Sequence, residues 1–428
     1  MVGRIVLGGA QPPGFAGGTA ISAKSGRLNS DILIIGGGLV GGTLACALAG
    51  AGLSVTVVDA GDPTAGLDAA FDGRASAIAL ASQRALDGIG LWPLMAGQAA
   101  PIEDIRVSDG QSLYFLHYDH RDTGDEPFGF MVENRTTRQA LYHRMQALDR
   151  LHLLAPARLL SLDRSQSGVT AEISNGETIK ARLVVGADGR GSQVREEAAI
   201  GLMKWSYRQT GIVCTVEHEK PHLNIAHERF LPGGPFAILP LRGNRSSIVW
   251  TEREDLAAAI MALDEAEFLA ELGRRFGDFL GAIDLAGGRW AYPLTLQQAE
   301  TAVCRRLALV GDADHGMHPI AGQGLNMGLR DVAALAEVLI DAHRLGLDLG
   351  SAVVLNKYSR WRRFDNTLML ALTDGLNRLF SNNIRPISLA RDLGLAAVNR
   401  LPPLKKLFMR HAMGLAGELP RLMQGRQL

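Results

Sequence analysis

Apolar and polar positions fall into two patterns along the chain. Short, wholly apolar runs end in glycine or aspartate and lead into helix formers. Ile32–Ile35 runs into Gly36-Gly-Gly-Leu-Val-Gly41; Val55-Thr-Val-Val-Asp59, Leu183-Val-Val-Gly-Ala-Asp188 and Arg306-Leu-Ala-Leu-Val310 repeat the theme. Runs of this length, bounded by turn residues, predict buried parallel strands that each feed a loop and a helix, hence an α/β fold with a Rossmann-like domain. Between them Ile105–Asp109, Ser112–His117, Gly211–Val216, Ala237–Leu239 and Ser247–Trp250 predict a sheet-rich region. Residues 254–280 are mostly helix formers, and residues 330–345 continue a helix begun near Asn326. From residue 351 the chain reads as helical, with breaks at Pro386, Pro402, Pro403 and Pro420.

These patterns divide the chain as follows. A discontinuous nucleotide-binding domain takes residues 31–105, 131–200 and 296–345. A substrate domain takes 106–130 and 201–295, and a C-terminal helical region takes 346–428. Residues 1–30, glycine-rich and without periodicity, read as a disordered extension. Arg4-Ile-Val-Leu is too short for a signal-peptide core.

Composition narrows the function. The chain has 428 residues, with 44 Lys+Arg against 44 Asp+Glu. Zero formal charge excludes a general nucleic-acid binder, which needs a basic footprint. Cys46, Cys214 and Cys304 show no C-x-x-C spacing. That argues against a disulfide framework or a zinc site and fits a reducing cytoplasm. Cys46 is expected as a buried thiol of the first helix. No apolar run is long enough to span a bilayer. Arg400, Lys405, Lys406, Arg410, Arg421 and Arg426 face one acid, Glu418, and interleave with Leu404, Leu407, Phe408 and Met409. This segment is either an interfacial helix on anionic lipid or a packed terminal helix with solvated basic residues.

Gly36, Gly38 and Gly41 fill the G-x-G-x-x-G positions of a dinucleotide fingerprint. The turn needs positive φ, and a pyrophosphate needs bare backbone N–H groups at the helix start. Asp59 stands where an acid should bind a ribose hydroxyl. Far along the chain, Gly311-Asp312, His318-Pro319 and Gly322-Gln-Gly-Leu-Asn326 resemble the second FAD motif of the p-hydroxybenzoate hydroxylase-like flavoprotein aromatic hydroxylases. Asp188-Gly189, followed by Arg190 to Arg195, resembles the Asp-Gly motif of that family. Phe71–Leu80, Val132–Leu141 and Ala226–Pro240 are similar to the ubiquinone-biosynthesis hydroxylases of the 2-octaprenyl-6-methoxyphenol hydroxylase type.

The resemblance implies roles. Asp312 holds the ribityl chain of FAD. Pro319, Gly322, Gln323, Gly324, Leu325 and Asn326 lie beside the isoalloxazine, where backbone N–H groups stabilise negative charge on the reduced ring. Asp188 and Gly189 contact FAD and the visiting nicotinamide, and Arg74 and Arg138 contact FAD. NAD(P)H then reduces FAD, O2 forms a flavin hydroperoxide, and its terminal oxygen passes to the ring of a polyprenylated phenol. No second G-x-G-x-x-G follows a strand, so NAD(P)H is a co-substrate without a domain of its own, and no metal is needed. The implied partners are the phenol, O2 and other ubiquinone-biosynthesis proteins, at a cytoplasmic location peripheral to the inner membrane. A hydroxylase of another small aromatic, an isoprenoid reductase and a flavin-binding scaffold subunit are the alternatives.

Some side chains carry further expectations. His318 either serves as a general base or orders its own loop, and His315 has the same two readings. Asp314 replaces an alanine usual in the family; as an extra carboxylate near the flavin it either alters the ring's electronics or faces solvent, and the second is expected. Arg330 and Asp331 are expected to form a helical charge pair. His227 and Arg229 are expected to join an ion pair with Glu228 or a neighbour. Pro240 and Leu241 either line an apolar roof over the flavin or pack in the core.

Overall fold

The computed structural model describes residues 27–65, 67, 73–110, 115–317, 322–380 and 401–428. The first sheet contains β1 (Arg27–Ile35), β2 (Val55–Val58), β8 (Leu151–Leu154), β9 (Leu159–Arg164), β10 (Val169–Ile173), β11 (Thr178–Gly186), β18 (Val303–Cys304) and β19 (Leu307–Leu309). Its order is β18-β19-β11-β1-β2-β8, with β9 and β10 as an antiparallel flap on β11. The four pairings from β19 to β8 are parallel.

The apolar run of β1 reflects burial on both faces. Ile32 and Ile34 pack under helices α1 (Leu39–Gly50), α3 (Asn134–Gln146) and α7 (Gln323–Arg344). Leu33 and Ile35 pack against Leu159, Val169 and Ala171 of the flap. The strand starts at Arg27, earlier than the expected residue 31, because Arg27 to Ser30 pair with Thr178 to Ala181. Sheet pairing, invisible in a polar stretch, decides that boundary.

A small sheet, β3 (Ala75–Ala79), β7 (Gly129–Glu133) and β4 (Ala100–Ile102), leads to the second large sheet. That sheet runs β20 (His315–Gly316), β17 (Trp290–Ala299), β12 (Leu202–His218), β15 (Arg245–Arg253), β14 (Gly234–Leu241), β13 (Ile225–Leu231), β5 (Asp104–Asp109), β6 (Phe115–Asp119), with β16 (Ile283–Leu285) on β12. Its outer face carries Ile212, Cys214, Phe236, Ile238, Ile248 and Trp250. Helices α5 (Glu254–Met261) and α6 (Glu265–Phe276) cover that face, and Asp264 and Glu267 form a capping box at the start of α6. Part of the inner face, with Leu116, Tyr118, Ala226 and Leu241, packs against Ile102 and Met131 of the small sheet and against Met409 and Met413.

Four more α-helices belong to the described chain. Helix α2 (Leu80–Gly88) packs in the same core as α1, α4 (Gln193–Glu197) follows β11, and α8 (Ala352–Phe380) lies beside α7. Pro402 and Pro403 open helix α9 (Pro402–Ala412) instead of ending one, as a proline in the first turn forfeits no helical hydrogen bond. Among the described residues no helix is long and apolar enough to cross a membrane.

Candidate active site

The three glycine-rich motifs emerge side by side. Ile35 pairs with Gly186, and Gly186 with Leu309, so β1, β11 and β19 end at one level. Their hydrogen bonds continue into the loops: Ala187 N–H donates to Ile35 at 2.8 Å, and Val310 N–H to Gly186 at 3.0 Å. Carboxyl ends of adjacent parallel strands are where open α/β sheets bind ligands.

The first loop is shaped by close approach. Gly36 has φ +101°, and a Cβ there would sit 2.4 Å from the Ala187 oxygen. A Cβ on Gly41 would lie 1.9 Å from the Gly36 oxygen. Gly38 differs: a Cβ would meet nothing within 4 Å. It caps α1 without a side-chain hydrogen bond, so the first N–H groups of the helix point into open space. Asp59, at the end of β2, accepts from Gly37 N–H and from Gly61 N–H at 2.7 Å.

The second and third motifs are tied together by residues the sequence reading gave no role. Arg190 Nε donates to Asp312 Oδ2 at 3.1 Å, and its Nη1 to Thr295 Oγ1 at 3.0 Å. The Gln297 amide donates to the Asp312 carbonyl at 2.8 Å and to the Arg190 carbonyl at 3.3 Å. Arg190 lies inside the Asp-Gly motif and could have been noticed there; nothing in the sequence marks Gln297. Asp188 Oδ2 accepts from Val194 N–H at 3.2 Å, while its Oδ1 is buried without a partner among the described residues. Gly189 has φ +81° and open space around it.

Helix α7 starts at Gly322, in the left-handed region, with no side-chain cap, and Gly324 also faces open space. Gln323 and Leu325 are partly exposed in its first turn. The Asn326 side chain is spent on protein: it accepts from Ala79 N–H at 2.8 Å and donates to the Ala77 oxygen at 2.9 Å, clamping β3 to α7. The Arg74 guanidinium lies over the Trp290 ring, 4.5 Å from its centroid. Arg138 is half-buried on α3. His318 and Pro319 lie outside the described residues.

Beneath the third motif is a buried charge network. Asp331 accepts from Gly311 N–H at 3.0 Å, pairs with His315 Nε2 at 2.7 Å, and accepts from Arg362 Nε at 2.7 Å. Burial opposes its charge, but His315 and Arg362 outweigh burial and hold its carboxyl at about 2. Burial likewise opposes the His315 cation, yet Asp331 raises its pKa above the ordinary histidine value.

Asp314 does not face solvent: it is 5% exposed, receives Asn366 Nδ2 at 3.3 Å, and burial pushes its carboxyl up to about 6. Arg330 and Asp331 are not partners: Arg330 Nη2 meets Asp365 Oδ2 at 3.1 Å and donates to the Ala416 oxygen. Successive helix residues point about 100° apart, so the two reach different neighbours. Of His315's two readings, its bond to Asp331 fits the loop-ordering one.

The expected ion pair at Glu228 is absent among the described residues. Alternation along β13 sends His227 and Arg229 to the outer face, against Phe279 at 4.9 and 5.3 Å. Burial, with Arg229 and Arg106 nearby, lowers His227 to about 4. Leu241 packs in the core with Leu80, Met131 and Met409, and Pro240 occupies the opposite face of the strand. Cys46 is buried, which pushes its thiol up to about 12.

This arrangement suits FAD on the molecule's own terms. An uncapped helix start would suit a pyrophosphate, an acid ends the second strand, and Asp188 Oδ1 is a buried acceptor with no partner among the described residues. A discontinuous Rossmann-like sheet with these motifs, faced by the inner side of a second sheet, defines the class of FAD-dependent monooxygenases. The model of a family described as FAD binding domain matches residues 29–364. The chain belongs to that family, within the ubiquinone-biosynthesis hydroxylases. It is 58% identical over 422 residues to the ubiquinone hydroxylase UbiL of Rhodospirillum rubrum, covering 98% of this chain and 97% of that one. It is 38% identical over 389 residues to the 3-demethoxyubiquinol 3-hydroxylase of Escherichia coli, covering 90% and 99%. In fold it is similar to p-nitrophenol 4-monooxygenase PnpA of Pseudomonas putida, with TM-score 0.76, 21% identity and 92% and 99% coverage.

Proposed function

We propose that this chain hydroxylates the aromatic ring of a polyprenylated phenol in ubiquinone biosynthesis, using NAD(P)H and O2. The observation that carries the reading is the convergence of three motifs on one sheet edge, where β1, β11 and β19 end at one level. FAD supplies acceptance of reducing equivalents and activation of O2. The protein's own groups do the rest. The α1 start with Gly36, Gly38 and Gly41 binds the pyrophosphate, and Asp59 the ribose. Asp312 holds the ribityl chain, oriented by Arg190. Asp188, Gly189, Arg74 and Arg138 line the flavin, and the α7 start from Gly322 to Leu325 stabilises negative charge near the ring. Asn326 acts through β3, whose position it fixes.

The chain works at a membrane surface in the cytoplasm, beside other ubiquinone-biosynthesis proteins. Helix α9 supports this: Met409 and Met413 point inward to the sheets, while Lys406, Leu407, Phe408 and Arg410 are exposed. Such a helix fits an anionic lipid interface, where a polyprenyl tail resides. Sedimentation with anionic vesicles is expected for the native chain and lost with Leu407→Asp plus Phe408→Asp.

Complementation tests the main reading. Strains each lacking one ring hydroxylase receive the native chain or Asp312→Ala, and their lipids are identified by mass spectrometry. Restored ubiquinone in one strain, lost with Asp312→Ala, is the expected result. Failure in every strain with FAD-loaded protein rejects the substrate and favours another small aromatic.

A further inference from the structure

The inner face of the second sheet holds a carboxylate that no described residue engages. Glu228 shares that face of β13 with Ala226 and Phe230. Its partner across β5 is Val107 and across β14 is Ala237, with Val249 beyond. Val107, Leu239, Val213 and Val249 are only half-buried on this face, so it borders open space. Glu228 is itself half-buried, yet among the described residues it accepts no hydrogen bond and forms no ion pair. Its chain neighbours His227 and Arg229 face the other way, and Arg229 is committed to the Arg275 and Phe276 carbonyls at 2.9 and 3.1 Å.

A carboxyl in an apolar wall without a partner weakens the fold. Burial pushes the Glu228 carboxyl up to about 7, so near neutral pH it exchanges its proton readily. Other titratable groups on this face are Asp109 of β5, Tyr118 of β6, whose hydroxyl burial also pushes up, and Glu217 of β12 opposite Arg245 of β15. Arg245 is paired with Glu133 at 3.0 Å and Arg253, at the other end of β15, with Asp255. Strand β14 contributes no charge there, and α9 and the residue that caps its C-terminus contribute Met409 and Met413.

We propose that Glu228 receives the hydrogen bond, and then the proton, of the substrate's phenol hydroxyl. The O–H bond breaks, its electron pair stays on the phenol oxygen, and the proton moves to a Glu228 carboxylate oxygen. The ring becomes more electron-rich and accepts oxygen faster. Oxidant and reductant are the O2 and NAD(P)H of the reaction above; the second oxygen atom leaves as water, which takes up the proton. This inference rests on the phenolic substrate proposed above.

The test uses FAD-loaded protein, a short-chain prenylated phenol and its O-methyl ether, with binding read from flavin fluorescence. At pH 8 the native chain is expected to bind the phenol roughly tenfold more tightly than the ether. That preference is expected to shrink as pH falls through about 7 and Glu228 becomes protonated. Glu228→Gln, with FAD retained, is expected to lose about 100-fold in kcat with little change in KM, and to lose the acid limb of the pH profile. Glu228→Asp is expected to recover part of the rate and the limb. Equal binding of phenol and ether by the native chain overturns the proposal without any variant. A Glu228→Gln rate and pH profile like the native chain's also overturns it, leaving the hydroxylase reading intact. A native chain that neither binds nor hydroxylates the phenol overturns the substrate reading and this inference together.

Discussion

Helices α1 and α7 both begin at a glycine beside the same sheet edge, but different forces set their positions. The α1 start is shaped by backbone: Gly36 and Gly41 let strand, loop and helix touch where no side chain fits. The α7 start rests on charge. Asp331 in its third turn reaches down to Gly311 N–H and His315, and Arg362 of α8 completes the set. One region excludes atoms and the other satisfies buried ions. The first therefore tolerates no added volume, and the second no lost partner.

Breaking the first region should cost most. Gly41→Ala drives a Cβ into the Gly36 oxygen and against the Ala187 Cβ. A loss of about 3 kcal/mol or more is expected, with little FAD retained, read from urea unfolding and flavin absorbance. Breaking the second comes next. Arg362→Met removes the guanidinium from Asp331 and Asn366 in a buried site. A loss of about 3 kcal/mol is expected, because a stranded charge costs more than a salt bridge gains. A Gly41→Ala protein as stable as the native chain would remove the distinction.

The next change sharpens the comparison through pH. Asp314 has a folded-state pKa of about 6, above its ordinary value of 3.8. The folded chain holds this proton more tightly than the unfolded chain does. Stability from this group is therefore present below pH 4, declines as pH rises toward 6, and is gone above it. Asp314→Asn is expected to stabilise by on the order of 2 kcal/mol at pH 8 and by almost nothing at pH 4, measured as the shift in Tm. Equal shifts at both pH values would mean that Asp314 ionises without penalty. The smallest effect belongs to Gly38→Ala. Its Cβ meets nothing, so the apoprotein should change by less than about 0.5 kcal/mol while FAD binds more weakly. Calorimetry of the apoprotein beside an FAD titration separates the two readouts.

Within the sequence itself, the buried parallel strands and the glycine turns were legible, because they follow from neighbours a few residues apart; their order in the sheet was not. Gly36, Gly38, Gly41 and Asp59 could be singled out because turn chemistry and anion binding at helix starts are local, whereas Asp312 stood out through its resemblance to a family motif. Tertiary structure alone decided where charges go. Asp331 finds Arg362 thirty-one positions later, Arg190 finds Asp312 across 122, and Asp314 is buried by a helix that nothing near it announces. It also decided that Glu228 faces inward while His227 and Arg229 face out, since strand alternation fixes opposite faces but only the packed helices decide which is the outside. Local backbone preference is written in adjacent residues; the fate of a charge depends on which distant segment removes its water.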